Sequence, residues 1–354
     1  MKTSRSAIRP ILMESVLLLL MLLAGLPVTS PAQTAPGFHL TRQIHVGGEG
    51  GWDYLSFDAA RHRLYVSHAM RVMVVDPDSG TVVGEIPKTE GVHGIAIADD
   101  LGKGFISNGR SSSVTVFDLK TLAVRGTVSA GQNPDAILYD PFSHRVFAFN
   151  GRSHDATVID AVTDSVIATL PLGGKPEFAV SDGAGRLFVN IEDKSEIAAI
   201  DPVAAKVLAR WSVAPGEEPS GLAIDIAHHR LFAVCGNKLM AVVDDETGAL
   251  VATVPIGSRV DGCAFDPALG YAFSSNGEGT VTVVREESPA KFSVVETVPT
   301  RPGARTITID PATHTLYLPT AEFGPAPAPT ADQPHPRPSM VPDSFVILQV
   351  QPGS

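Results

Sequence analysis

The sequence predicts an all-β protein: a seven-bladed β-propeller of four-stranded antiparallel blades, with an N-terminal strand closing the last blade. Three observations carry this. One short pattern recurs seven times along the 354 residues. Four β-like runs fill each interval between recurrences. No segment keeps a 3.6-residue apolar period long enough for a helix.

The pattern begins at Ile44 with "IHVGGEGGWDYLSFD" and returns at Ile86, Val128, Leu170, Trp211, Val254 and Val298. Successive offsets are 42, 42, 42, 41, 43 and 44 residues, a period typical of propellers, solenoids and repeat arrays. In the fifth unit the runs read "GLAID", "RLFAV", "LMAVVDD" and "GALVATVPIG". Val, Ile, Leu and Phe dominate them, and Asp, Gly, Pro and His separate them, as strands and tight turns require. A parallel β-helix would need shorter repeats. The seventh unit offers only "TITID", "HTLYLPT" and "SFVILQV". The run "FHLTRQIHV" at 38–46 is left over at the other end and is assigned as the missing outermost strand of that blade. Such closure covers strand edges that would otherwise stand open. Residues 325–342 carry seven prolines between the second and third strands of blade seven. Proline cannot donate to a ladder, so this is an extended loop, either a rigid excursion or a lid over the channel mouth.

The first 32 residues read as a signal peptide. Lys2, Arg5 and Arg9 precede a short apolar run, Val16–Leu26, and Ser30-Pro31-Ala32 offers a small-x-small cleavage site. The mature chain then begins near Gln33, as a single propeller domain over 33–354. The apolar run is short for a membrane span, an uncleaved anchor being the alternative. Export places the protein in the periplasm or outside the cell. Only Cys235 and Cys263 are present, so either one bridge forms or both are small buried hydrophobes. The net charge of −11 argues against nucleic acid as a partner. A small molecule or an envelope protein is the expected partner, and the chain is expected to be a monomer with no membrane span after cleavage.

The blade motif Leu64-Tyr65-Val66-Ser67, repeated as Leu187-Phe188-Val189-Asn190 and Leu316-Tyr317-Leu318-Pro319, resembles the forty-residue repeat of the YVTN, or YncE-like, propeller family. The resemblance covers residues 38–350 and implies a propeller fold and export. Some relatives bind nucleic acid, which the acidity here opposes. Trp52-Asp53 is a single instance of the tryptophan–aspartate pair that WD40 blades repeat.

Aligning the units at the start of the innermost strand gives Asp53, His93, Asp135, Glu177, Ser220, Asp261 and Arg305. All are polar, yet their identities vary, whereas a turn requirement would repeat one residue. Propeller geometry brings the seven to the rim of one channel, where clustered carboxylates repel unless a cation, a proton or Arg305 compensates. They are the candidate ligand-binding residues. Asp53, His93, Asp135, Glu177 and Asp261 are also candidate metal ligands for a divalent cation, Ca²⁺ if oxygen alone binds, Zn²⁺ or Mn²⁺ if His93 joins. The alternative is a hydrated mouth screened by water and neighbouring pairs. Five residues further on, Asp58, Asp140, Asp182, Asp225, Asp266 and Asp310 recur as turn acceptors. His62, His144, His229 and His314 recur in turns of the opposite face and read as structural.

Loops beside the mouth carry Arg71, Arg110, Arg152, Lys194 and Lys238, with His68 and His154 nearby. They either pair with acids and solvent or grip an anionic or polyhydroxy ligand above the acidic well. No G-x-S-x-G elbow, H-E-x-x-H or P-loop is present. The leading expectation is therefore a propeller that binds a ligand or protein at its top face. A metal-assisted, lactonase-like hydrolase with His93 or Asp135 as base is the alternative, by analogy with six-bladed calcium lactonases. A cell-envelope scaffold is the third.

Overall fold

The structure is a computed structural model that describes residues 37–325, 328 and 338–353. The signal segment 1–32 and the centre of the proline-rich stretch lie outside the described residues. Within them, 28 strands, β1 to β28 in chain order, form seven four-stranded antiparallel sheets, the blades of a propeller. No helix among the described residues is long and apolar enough to cross a membrane.

The first strands of blades one to six line the centre: β2 (Trp52–Asp58), β6 (Val92–Ala98), β10 (Pro134–Asp140), β14 (Pro176–Ser181), β18 (Pro219–Asp225) and β22 (Val260–Asp266). The next three strands of each follow outward in order. Blade seven is assembled from both ends of the chain. Its order is β26 (Thr308–Asp310), β27 (Thr315–Thr320), β28 (Val346–Gln351) and, outermost, β1 (His39–His45). Ile44 faces Ile347 and His45 faces Val346 across the closing ladder. The expected closure is thus present, and the proline-rich stretch joins β27 to β28 as expected.

Closure depends on more than the ladder. Phe38 is buried against Tyr271 and Phe273 of blade six, edge-on at 6.2 and 5.1 Å. On the other side, Arg42 donates to the carbonyls of Asp78 and Ser79 of blade one, both at 2.6 Å. One strand therefore fastens three blades.

The core lies between blades. Each second strand places one aromatic at the same position: Tyr65, Phe105, Phe147, Phe188, Phe232, Phe273 and Tyr317, none more than 2% exposed. Where the neighbouring residue must make room it is small: a Cβ on Gly104 would lie 2.1 Å from the Phe117 ring. The recurrent aspartates cap the first turn of each blade. Asp58, Asp140, Asp225 and Asp310 accept from the backbone N–H of Arg61, Ser143, Ala227 and Ala312 at 2.9–3.0 Å. His62, His144, His229 and His314 adopt left-handed φ of 51–58° in these turns. Cys235 and Cys263 are both free and buried.

Phe38→Ala should cost about 3 kcal/mol, the usual loss for a deleted core phenylalanine. Deleting residues 34–46 should lower the melting temperature much further. Thermal melts of the two variants measure both losses, and an unchanged melting temperature in the deletion would show that closure is carried elsewhere.

Candidate functional site

The polar column is aimed by a backbone irregularity. The ladder between first and second strand slips between Trp52 and Leu55, Val92 and Ile95, Pro134 and Ile137, Pro176 and Ala179, Pro219 and Leu222, and Val260 and Gly262. A bulge re-aims the residue it contains, and in blades one to six the bulge contains the column residue, whereas Arg305 lies in the segment before β26. It also frees backbone groups, which side chains of the second strand satisfy. Ser67 accepts from Asp53 N and donates to Tyr54 O, both at 2.9 Å. Asn190 donates to the Ser220 and Gly221 carbonyls at 2.8 and 3.1 Å. Ser275 donates to Gly262 O at 3.1 Å and to Arg305 O at 2.5 Å.

The side chains then form a chain of alternating charge. Arg305 donates to Asp261 at 2.7 Å and to Asp53 at 3.1 Å. Asp53 lies 2.6 Å from His93 Nδ1, and that nitrogen lies 3.5 Å from Asp135. The run Asp261–Arg305–Asp53–His93–Asp135 thus crosses blades six, seven, one, two and three. Alternation fails at blade four, where Glu177 is the next residue. Glu177 instead takes a lysine that the column does not contain: Lys175 Nζ lies 2.6 Å from Glu177 Oε1 and also bonds Glu192. Ser220 is buried and donates weakly to Val260 O at 3.3 Å.

Titration follows from this arrangement. Burial pushes Asp135 up to about 6, opposed by His93 and reinforced by Asp53 and Asp261. Burial raises Asp261 to about 6 despite Arg305. Glu177 rises to about 8 through burial and the charge of Asp135, although Lys175 opposes it. Burial disfavours the His93 imidazolium, but its bond to Asp53 and the charges of Asp135, Asp53 and Glu177 outweigh that and raise it to about 9. At neutral pH the site therefore holds a cationic His93 and a retained proton at Glu177.

Asp53, Asp135, Glu177, Asp261 and Arg305, though not His93, line a cavity of about 550 Å³ with Glu192, Glu218 and Tyr54. Tyr54, which lines it, meets Phe178 of blade four at 5.3 Å between ring centroids. Below, Phe178 lines two smaller spaces walled mainly by Ile97, Leu138, Val180, Ile224 and Ile309. The channel is polar above this aromatic pair and largely apolar beneath it. A second cavity, about 710 Å³, adjoins the first and is lined by His93, Ser112, Gln132, Asn133 and two exposed arginines, Arg110 and Arg152. His93 is next to both spaces.

Two expected rim residues are elsewhere. His68 is fully buried, stacked parallel on Phe345 at 4.2 Å, and burial with Arg71 nearby lowers it to about 4. It is a neutral packing residue, because the loop at Gly48–Gly51 covers it. Arg71 turns along its own blade, donating to Met73 Sδ at 3.1 Å with Glu85 at 3.8 Å. Lys194 lies 3.7 Å from Asp193, and Lys238 is exposed. Tyr54, Lys175, Glu192 and Glu218 were absent from the sequence-derived set. The aligned column shows one residue per blade and carries no signal for the neighbours that fold in beside it.

Asp53, His93 and Asp135 bring three potential metal-ligand atoms within 4.8 Å of one another. The donor set suits a divalent ion only in part, since Arg305 already supplies a fixed positive charge to Asp53.

No protein-family profile matches this chain, and no curated protein matches it. Solved structures do. A chain of the Mitotic Checkpoint Complex aligns with a TM-score of 0.71 and 16% identity over 100% of both chains. U3-55K aligns at 0.68 and 11% identity, over 89% of this chain and 99% of that one. Hydrazine synthase of Kuenenia stuttgartiensis aligns at 0.66 and 17% identity, over 76% and 92%. At these identities the likeness is one of fold.

Glu177 and His93 hold protons in the folded protein that the unfolded chain has released, because both folded values lie above the ordinary ones. Stability should therefore fall as pH rises from about 5 to about 9. Glu177→Gln should flatten the part of that fall below pH about 8. Melting temperatures across this range test the assignment; a wild type and variant falling in parallel would refute it.

Proposed function

We propose that this chain is an exported YncE-like propeller that binds a small zwitterionic ligand at the mouth of its channel, without catalysing a reaction. The observation that carries this reading is the break in charge alternation between Asp135 and Glu177, beside two arginines that no carboxylate engages among the described residues. A cationic group entering there can take the place of the proton that Glu177 retains and offset the charge of Asp135 beside it. The anionic end then meets Arg110 and Arg152, on loops of blades two and three. His93, next to both cavities, sets the spacing between the two ends. The polar linings lie on the mouth side of the Tyr54–Phe178 pair, and the cavity volumes suit a small molecule.

A metal-assisted hydrolase is the second reading, favoured by the proximity of Asp53, His93 and Asp135. In it, the three side chains would hold a divalent ion, which supplies an activated water. Arg305 already compensates Asp53 there, so an added divalent ion meets a fixed cation beside it, which disfavours this reading.

One titration separates the two. The purified chain is titrated calorimetrically with amino acids, diamines, dicarboxylates, Ca²⁺, Mn²⁺ and Zn²⁺, in parallel with Arg110→Ala/Arg152→Ala and Asp135→Asn/Glu177→Gln. The ligand reading expects amino acids to outbind diamines and dicarboxylates, and each double variant to weaken them by about tenfold or more, the scale of lost charge-assisted hydrogen bonds. Equal binding by all three proteins removes the reading. A divalent ion bound at the mouth, lost with Asp135 and indifferent to the arginines, replaces it with the hydrolase. Export is checked in the same preparation, since an intact mass that still includes residues 1–32 after expression with the native leader would contradict it.

A further inference from the structure

At the far end of β18 from Ser220, a second cluster sits across the boundary between blades five and six. Asp225 ends β18, His228 follows in the turn, and Glu286 lies in β24 (Thr280–Ser288), the third strand of blade six. His228 Nδ1 is 2.7 Å from Asp225 Oδ2 and 3.5 Å from Glu286 Oε1. The Glu286 side chain is 4% exposed, and neither of its oxygens has a hydrogen-bond donor. A buried carboxylate without a donor is costly and calls for either a retained proton or a compensating charge.

The neighbouring boundary shows what is missing. Between blades four and five, Arg186 bonds Asp182 at 3.2 Å and reaches across to the carbonyl and carboxylate of Asp245 at 2.7 and 3.2 Å. Asp245 holds the position in blade five that Glu286 holds in blade six. The counterpart of Arg186 in blade five is Arg230. It is engaged elsewhere, donating to Pro289 O at 2.9 Å and to Asp244 at 2.8 Å. The acid pair recurs at the next boundary, but a half-exposed histidine, His228, stands between the acids in place of an arginine.

We propose that Asp225, His228 and Glu286 form a divalent-metal site, suited to Zn²⁺, that clamps blades five and six on the face opposite the channel mouth. Ligand atoms around a tetrahedral ion with bonds of about 2.0–2.1 Å lie about 3.3 Å apart. The 2.7 and 3.5 Å separations bracket that spacing. Asp225 Oδ2 is the oxygen that faces His228, while Oδ1 accepts from Ala227 N at 3.0 Å and orients the carboxylate. One imidazole with two carboxylates is a borderline donor set, which favours Zn²⁺ over Ca²⁺ or Mg²⁺. His228 is half exposed, so an ion can enter from solvent.

The test is equilibrium dialysis of the chelator-stripped full chain against Zn²⁺, with metal counted by mass spectrometry. Wild type, Glu286→Gln, His228→Ala and the channel variant Asp135→Asn/Glu177→Gln are compared. The site predicts one Zn²⁺ per chain that survives in the channel variant. Affinity should fall by about tenfold or more in both Glu286→Gln and His228→Ala. Zn²⁺ should raise the melting temperature of wild type and of the channel variant but not of the other two. His228→Ala removes an exposed side chain and keeps the test valid if Glu286→Gln misfolds. No Zn²⁺ uptake by the stripped protein, or uptake unchanged in His228→Ala, overturns the proposal, and loss only in the channel variant assigns the ion to the mouth instead.

Discussion

Seven strands that begin around one axis must put seven side chains within reach of one another, and in this protein four of those are carboxylates. Charge alternation is what makes that tolerable. Arg305 is the decisive residue because it belongs to blade seven yet holds Asp261 of blade six and Asp53 of blade one. The same bonds therefore neutralise the acids and tie the last blade to the first. Removing Arg305 would leave Asp53 and Asp261 uncompensated, at a cost that the partial exposure of its side chain moderates. The seam is thus held at the channel by ion pairs and at the circumference by β1. Alternation cannot run round a ring of seven without a break, and this one breaks beside Glu177.

The break is stable because the frame around it is rigid. Seven aromatics at equivalent positions fix the spacing between blades, and bulges satisfied by Ser67, Asn190 and Ser275 fix the direction of the column residues. A site held by packed strands keeps its geometry better than one carried on loops. Lys175 relieves Glu177 only partly, since Glu192 competes for the same ammonium. Protonation of Glu177 is the remaining relief in the free protein, and a ligand cation can take the proton's place.

The fold was legible because it is periodic. Strand number, blade number, closure by residues 38–46 and the position of the proline-rich stretch all follow from repeats that can be counted. The polar column was legible for the same reason, since each member occupies the same place in its unit. What repeats do not encode is which side chains meet across blades. Asp53 and Arg305 are 252 residues apart, and Lys175 reaches the mouth from a turn position that holds no lysine in the other blades. His68 was misplaced because a histidine beside a loop reads as polar, whereas Phe345, brought over from blade seven, buries it as an aromatic. Arg71 was misplaced because a long side chain chooses between two directions that its position does not distinguish.

The same logic governs both ends of the propeller. At each blade boundary the structure meets the problem of acids from adjacent blades, and its usual answer is a basic side chain from one of them. Lys103 bonds Asp164 of blade three, Arg186 bonds Asp245 of blade five, and Arg305 bonds Asp53 of blade one. Two places depart from the rule: Asp135 beside Glu177 at the mouth, and Asp225 beside Glu286 at the opposite face. Each has a histidine beside one of its acids, His93 3.5 Å from Asp135 and His228 2.7 Å from Asp225. An imidazole can give up its proton, so it leaves the acids open to something else that carries positive charge. A propeller built only for stability would have closed both gaps with arginine.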